Sequence, residues 1–358
     1  MKIYINGRFL TQSVTGVQRY AIEVMKALDK LIEEGIIDST KYQFYILTPN
    51  NCVNRIQLKH ITIKNIGKLK GHLWEQFELP MFVKRKMLVN LCNAGPILKK
   101  NQISVIHDAA VFANSNNFSF LFRSWYKLLL KTQGIFSMKI VTVSEFSRLE
   151  LIKYLNINEG KIQVIYEGKE HFTNLEEDPT FISRKGIDKK PYVLAVSSLN
   201  PNKNFGAIVK AINYLESNDL NIVIAGGTDP KVFSQNGVEL PENVLHLGYV
   251  SDIELKMLYK SAFCFIYPSF YEGFGLPPLE AMSIGCPIII SNRASLPEVG
   301  GEAALYCDPE KPEDIARQIE KLTLDRKLRS DLVQKGLNQA GKFNWEKCAM
   351  KLFDLVLN

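Results

Sequence analysis

The pattern of apolar and polar residues predicts an α/β protein of two Rossmann-like, doubly wound domains that face each other across a cleft. Three observations carry that expectation. Apolar strand-like runs alternate with helical stretches in two successive series, which argues for parallel sheets. A polar, charged stretch from Asn174 to Pro191 (NLEEDPTFISRKGIDKKP) separates the two series. The 358 residues are also enough for two domains at about 150 residues each.

Taken in order, Lys2–Ile5 reads as a short strand, followed by a helix over Val17–Leu31 with Val17, Ala21, Val24, Leu28 and Leu31 on its apolar face. Tyr42–Leu47 and Ile61–Ile66 read as strands. Ile103–Ile106 is a buried strand ending on His107 and Asp108, and Ile140–Val143 is another. A helix over Glu145–Leu155 and a strand over Lys161–Ile165 close the first series. The second begins with a strand at Tyr192–Val196, a helix at Phe205–Leu215 and a strand at Asn221–Ala225 that runs into Gly226 and Gly227. Val244–Leu247, Phe263–Tyr267 and Pro287–Ser291 read as strands, with helices over Asp252–Ser261 and Pro277–Ile284. The remainder reads as helical. The expected domains are residues 1–180 and 181–342. Ligands of such sheets bind beyond the carboxyl ends of the strands, so the residues just after each strand are the candidates for chemistry.

A hydrophobic content of 46% and a charged content of 23% exclude a disordered or collagen-like chain. No apolar run approaches the roughly 18 residues of a membrane span. The start, MKIYINGRF, lacks a signal-peptide pattern. Cys52, Cys92, Cys264, Cys286, Cys307 and Cys348 form no CxxC pair. Reduced thiols in a cytoplasmic protein are therefore expected, with no disulfide framework or zinc site.

The net charge of +7 is unevenly placed. Residues 1–180 hold 24 Lys and Arg against 16 Asp and Glu, whereas residues 181–358 hold 20 against 21. A one-sided basic balance suggests a polyanion, either nucleic acid or an anionic membrane face. The sequence has no helix-turn-helix, zinc-finger or RNP-like motif, which argues against nucleic acid. In Asn117–Lys131, Arg123, Lys127 and Lys131 are spaced by four, with Leu121, Trp125, Leu128 and Leu129 roughly opposite. Such a helix suits an anionic membrane surface or simple packing on the domain core.

Residues 267–309 read YPSFYEGFGLPPLEAMSIGCPIIISNRASLPEVGGEAALYCDP. Gly273 and Gly275 permit close approach of backbone to a ligand. Pro277 and Pro278 suit a first helical turn, and the amides at such a helix start form an anion site. Glu272 precedes the loop, and Glu280 falls about one turn into the helix. Two carboxylates flanking an anion-binding turn suit a ligand with a phosphate centre and hydroxyl-rich ends, as in a nucleotide sugar.

The string EGFGLPPLEAM, with GCPIIISN, LPEVGG and AAL..DP in register, closely resembles the donor-site signature of family 4 retaining glycosyltransferases of the GT-B fold. LNPNKNF (199–205), IVIAGG (222–227), HLGYVSDIELKMLY (246–259), INGRFLTQSVTGVQRYAIEVMKAL and VIHDAAVF are similar to the same family.

The resemblance implies that Glu272 lies against the donor sugar and Glu280 bonds the ribose. Main-chain amides of Gly273, Phe274, Gly275 and Leu276 would hold sugar and diphosphate. Lys203 matches the lysine that neutralises the diphosphate. The family's arginine five residues earlier is Ser198 here, and Asn202 stands at another commonly basic position; Arg19 is a substitute for the second phosphate contact. Val250 falls where the backbone meets the nucleobase, and Gly16 where a glycine loop opens the first helix beneath the phosphates. His107 would contact the donor sugar and the reacting centre, with Asp108 orienting it or capping the next segment. Residues 343–358 look like the family's terminal helix, which packs back on the first domain.

The implied activity is hexosyl transfer with retained anomeric configuration in polysaccharide biosynthesis, to a lipid-linked or oligosaccharide acceptor, at the inner face of the membrane. GDP-mannose is favoured as donor over UDP-sugars or dTDP-rhamnose. No Asp-x-Asp occurs in the chain, so no essential metal or other cofactor is expected. The departures at Ser198 and Asn202 motivate an alternative, a non-catalytic sugar-nucleotide-binding subunit.

Overall fold

The computed structural model describes residues 1–54, 56–114, 118–196, 200–215, 220–226 and 243–357; Ser198 and Gly227 lie outside them. The chain divides into two compact units, one of residues 1–168 with 344–358 and one of residues 169–343.

The first unit is built on seven strands: β1 (Lys2–Asn6), β2 (Gln43–Thr48), β3 (Thr62–Asn65), β4 (Met87–Asn90), β5 (Gln102–Val105), β6 (Lys139–Thr142) and β7 (Ile162–Val164). All pair in parallel, in the order β3-β2-β1-β4-β5-β6-β7. The order reverses between β1 and β4, as in a doubly wound sheet. The helix Gly16–Glu33 buries Ala21, Val24, Leu28 and Leu31 of the face that its apolar period predicts, with Val17 half-buried and Tyr20 buried beside them. The terminal helix Trp345–Leu357 packs along it. Trp345 lies edge-on to Tyr20, with ring centroids 5.8 Å apart. The packing is close enough that a Cβ on Gly168 would stand 2.2 Å from the Trp345 nitrogen.

Beyond β1 and β4 the first sheet carries a buried polar cluster. Glu75 Oε1 accepts from Asn6 Nδ2 at 2.8 Å and from Arg8 Nε at 3.0 Å, and its other oxygen lies 3.1 Å from His72 Nδ1. Burial alone would raise the Glu75 carboxyl, but His72, Arg8 and Asn6 together hold it below the usual carboxylate range.

The second unit is built on β8 (Tyr192–Val196), β9 (Asn221–Ala225), β10 (Val244–His246), β11 (Cys264–Tyr267), β12 (Ile288–Ser291) and β13 (Ala304–Cys307). They are again parallel, in the order β10-β9-β8-β11-β12-β13. Val193, Ile222, Ile224, Ile266 and Ile289 fill its core with Ile315 and Ile319 of the helix Pro312–Leu324.

The structure departs from the sequence reading in four places. Met87–Asn90 is a buried strand that a four-residue run beside Lys84–Lys86 did not announce. Ala304–Cys307 is a strand, paired with β12, where helix was expected. Asn174–Pro191 is not a free linker, because Phe181, Ile182 and Ile187 turn inward and Phe181–Arg184 forms a helix against Asp252–Ser261. The division therefore falls after Gly168 instead of after residue 180, and Phe343 stays with the second unit. In Phe120–Phe136, Leu129 and Leu130 enter the core while Leu121 and Leu128 remain exposed. Among the described residues no helix is long and apolar enough to cross a membrane.

Candidate active site

The strand order of the second sheet reverses between β8 and β11, the place where such sheets bind ligands. A 3-10 turn, Pro201–Lys203, follows β8, and the loop to Gly275 follows β11. The two are tied together. Asn204, at φ +52°, donates from Nδ2 to the carbonyls of Pro268 (3.2 Å) and Pro309 (2.6 Å). The Phe270 amide donates to the Asn202 carbonyl at 2.8 Å.

This arrangement places Lys203 Nζ 2.7 Å from Glu272 Oε1. The same ammonium contacts the Tyr267 hydroxyl and sits 4.8 Å from that ring's centroid. Burial works against the charge on Lys203, but the Glu272 carboxylate and the Tyr267 hydroxyl outweigh it and raise the ammonium above its ordinary range. Burial and the same carboxylate push the Tyr267 phenol up. At neutral pH Lys203 is thus protonated and the Tyr267 phenol neutral.

Gly275 takes φ +123°, ψ +56° and opens the helix Leu276–Ser283. A Cβ there would meet Leu296 Cδ2 at 2.9 Å. The Ser295 hydroxyl lies 3.0 Å from the Glu272 carbonyl and 2.5 Å from that of Phe274. Phe274 is buried edge-on against Phe343. The loop is therefore fixed from beneath. Pro277 and Pro278 carry no amide hydrogen, so the donors of the first turn lie in Gly273–Leu276.

Glu280 lies one turn along this helix, and its Oε1 is 2.9 Å from His171 Nε2, a side chain only 2% exposed. Burial and the Glu280 charge push the Tyr259 phenol up. Val250 is half-buried between β10 and the helix Asp252–Ser261. Ser251 caps that helix: its hydroxyl accepts from the Glu254 amide at 3.3 Å while the Glu254 carboxylate returns to the Ser251 amide at 2.8 Å. Lys203, Glu272, the loop Gly273–Leu276, Glu280 and Val250 thus all follow carboxyl ends of one parallel sheet.

In the first unit the outcome is mixed. Gly16 is exposed at the start of its helix, where the sequence places it. His107 follows β5 as expected, but it does not present a free ring. Nε2 lies 3.0 Å from the Leu91 carbonyl, Nδ1 lies 3.6 Å from Glu167 Oε1, and Tyr20 stands edge-on at 4.8 Å. The ring is buried with both nitrogens facing protein groups. Asp108 caps the next segment, accepting from the Ala110 amide at 2.8 Å. Asn202 is largely buried, with its carbonyl engaged by Phe270.

Sequence reasoning missed His171, Tyr267 and Ser295. Tyr267 and Ser295 fall inside the quoted motif but read as strand and loop. His171 lies 109 residues from Glu280, and nothing local marks that pairing.

The family described as glycosyl transferases group 1 matches residues 177–339. That match lies within the unit that carries Lys203, Glu272 and Glu280. The chain is 36% identical over 228 residues to the O-antigen chain mannosyltransferase B of Escherichia coli, and the match spans 58% of each chain. It is 29% identical over 324 residues, 86% of each chain, to the O-antigen chain mannosyltransferase RfbU of Salmonella typhimurium strain LT2. Anabaena Alr3699/HepE, solved in complex with UDP-glucose, superposes with a TM-score of 0.74 over 99% of both chains at 14% identity, a likeness of fold. The two parallel sheets are those of the GT-B fold. The matched family and both O-antigen mannosyltransferase relatives are glycosyltransferases.

Proposed function

We propose that this glycosyltransferase moves a hexose from a nucleotide-sugar donor, with retention, to a lipid-linked or oligosaccharide acceptor. The observation that carries the reading is the Lys203–Glu272 pair, 2.7 Å apart, beside a glycine loop that opens a helix at the sheet's switch point. Lys203 and the amides of Gly273–Leu276 neutralise the diphosphate as the glycosidic bond breaks. Glu272 takes sugar hydroxyls and Glu280 takes those of the ribose, with Val250 at the base. These two carboxylates are not a hydrolase's acid and nucleophile, because one is assigned to the ribose. The acceptor oxygen attacks the face that the diphosphate leaves, and its proton passes to the departing phosphate oxygen, so no protein base is required. No metal is required either.

The mannosyltransferase relatives support GDP-mannose as donor, and the UDP-glucose complex of the structural neighbour supports a nucleotide sugar in general. The basic first unit, with Arg123, Lys127 and Lys131 on one helix, supports peripheral work at the inner membrane face. Thermal-shift titration with GDP, UDP and dTDP, followed by transfer assays with and without chelator, tests the reading. A nucleotide that binds only the folded state raises the melting temperature. A chain that binds nucleotide yet transfers nothing with any donor and acceptor would be the non-catalytic subunit.

A further inference from the structure

The first unit contains a cavity of about 830 Å³, none of whose lining residues is assigned to the donor. The segment Gly71–Val83 forms one wall and residues 96–101 the other, closed by Trp125. Gln76 pins the walls together, donating to the Gly95 carbonyl at 3.0 Å and accepting from the Ile97 amide at 2.9 Å. The lining is mainly apolar, through Leu73, Phe77, Pro80, Ile97, Leu98 and Trp125.

Two features make this more than a surface dent. Leu73, Phe77 and Met81 recur every four residues and stand 60%, 58% and 74% exposed, so one stripe of large apolar side chains faces water beside the cavity. A contiguous exposed apolar patch of this kind marks a binding surface. The charge around it has one sign. Residues 68–100 carry Lys68, Lys70, Lys84, Arg85, Lys86, Lys99 and Lys100 against only Glu75 and Glu78. Both carboxylates are occupied: Glu75 in the buried cluster with Arg8, and Glu78 by the amides of Lys68 and Leu69, each within 3.0 Å. Lys99 is turned inward, donating to the Lys84 carbonyl at 2.7 Å, and burial lowers its ammonium below the usual range. It therefore holds the rim together. Lys84, Arg85 and Lys100 at the cavity edge carry the charge.

We propose that this cavity binds the lipid of the acceptor, with one isoprenoid chain against Leu73, Phe77 and Trp125 and its phosphate on Lys84, Arg85 and Lys100. An apolar slot with a cationic mouth matches a single-chain lipid phosphate at both ends. The inference rests on the lipid-linked acceptor reading above.

The test is calorimetric titration of the full chain with farnesyl phosphate, farnesol, lysophosphatidate and inorganic phosphate. Farnesyl phosphate is expected to bind, farnesol and inorganic phosphate to bind far more weakly, and lysophosphatidate to trail farnesyl phosphate. Phe77→Ser with Met81→Ser should weaken farnesyl phosphate about tenfold, since large apolar groups no longer leave water. Lys84→Gln with Lys100→Gln should do the same. All variants should keep the nucleotide-dependent rise in melting temperature, which reports the donor site in the second unit. No binding of farnesyl phosphate, equal binding of lysophosphatidate, or indifference to both pairs of substitutions overturns the proposal. If nucleotide binding is intact in any of those cases, the glycosyltransferase reading stands without it.

Discussion

Lys203 Nζ lies 2.7 Å from Glu272 Oε1, so the cation assigned to the donor's diphosphate is already paired with the carboxylate assigned to the donor's sugar. The pair keeps two largely buried charges neutralised before any ligand arrives, which matters because an isolated buried charge is costly. On the proposed assignment, a diphosphate entering beside Lys203 competes with Glu272 for its protons and thereby frees the carboxylate to accept sugar hydroxyls. One ion pair can thus serve stability in the free protein and recognition in the bound one.

Glu272→Gln and Lys203→Met should each lower kcat/KM for sugar transfer by about 10²–10³, the range for losing one charge-stabilising group. Steady-state transfer assays check this. The double variant should lose less than the product of the two single losses, because the residues act as a coupled unit.

Glu280→Ala should act differently. On the proposed assignment it removes a ribose contact present in ground and transition states alike, so KM for the donor should rise while kcat changes little. A rise of about tenfold is expected for one charged hydrogen bond. His171→Asn should give a smaller change in the same direction, since it acts only by positioning Glu280. Initial-rate kinetics with varied donor would show whether the split falls on KM.

Gly275→Ala places a Cβ 2.9 Å from Leu296 at φ +123°. Backbone strain of this sort costs of order 1–3 kcal/mol, so the melting temperature should fall by several degrees. Activity should fall with it, because the loop carries the anion-binding amides. Calorimetry and assay on the same preparation test both parts.

The pH limits of stability follow from two groups of opposite sign. Glu75 is held below the usual carboxylate range, so its contribution is present above the unfolded value near ~4.3 and is lost as pH falls through the folded one. Lys203 is raised, so its contribution is present below about 10.4 and is lost as pH rises through the folded value. Denaturant titration across pH should show Glu75→Leu flattening the acid limb and Lys203→Met the alkaline one. At neutral pH Glu75→Ala should cost about 3–5 kcal/mol, because Arg8 is left buried without its partner.

Thiol labelling offers a simple check on the packing. Cys52 is exposed, whereas burial pushes Cys264, Cys307 and Cys348 up to about 12 and raises Cys92 and Cys286 as well. Cys52 should react readily with a disulfide reagent in the native protein, half-buried Cys92 more slowly, and the four buried thiols only on unfolding.

Much of this was legible before any coordinates. The glycine loop, its prolines and Glu272 follow one another in sequence, so local geometry alone brings them together. Lys203 was legible through its resemblance to a family motif, but its partner was not, because 69 residues separate it from Glu272. His107 marks the limit in the other direction. Its place after a strand was correct, yet the burial by Leu91, Glu167 and Tyr20 depends on three distant segments. The stretch Asn174–Pro191 misled for a related reason: its charges face water while Phe181, Ile182 and Ile187 face the core, and composition averages the two.

Lys203 is the residue on which the proposed donor binding depends most directly. Calorimetric titration of GDP-mannose into the wild type and Lys203→Met, both in chelator, measures it. The account predicts that the wild type binds without metal and that the variant, folded with an intact neutral-pH transition, binds about 10–100-fold more weakly, as loss of a charged phosphate contact requires. Equal affinity in the two proteins, or binding that appears only with a divalent cation, would contradict it.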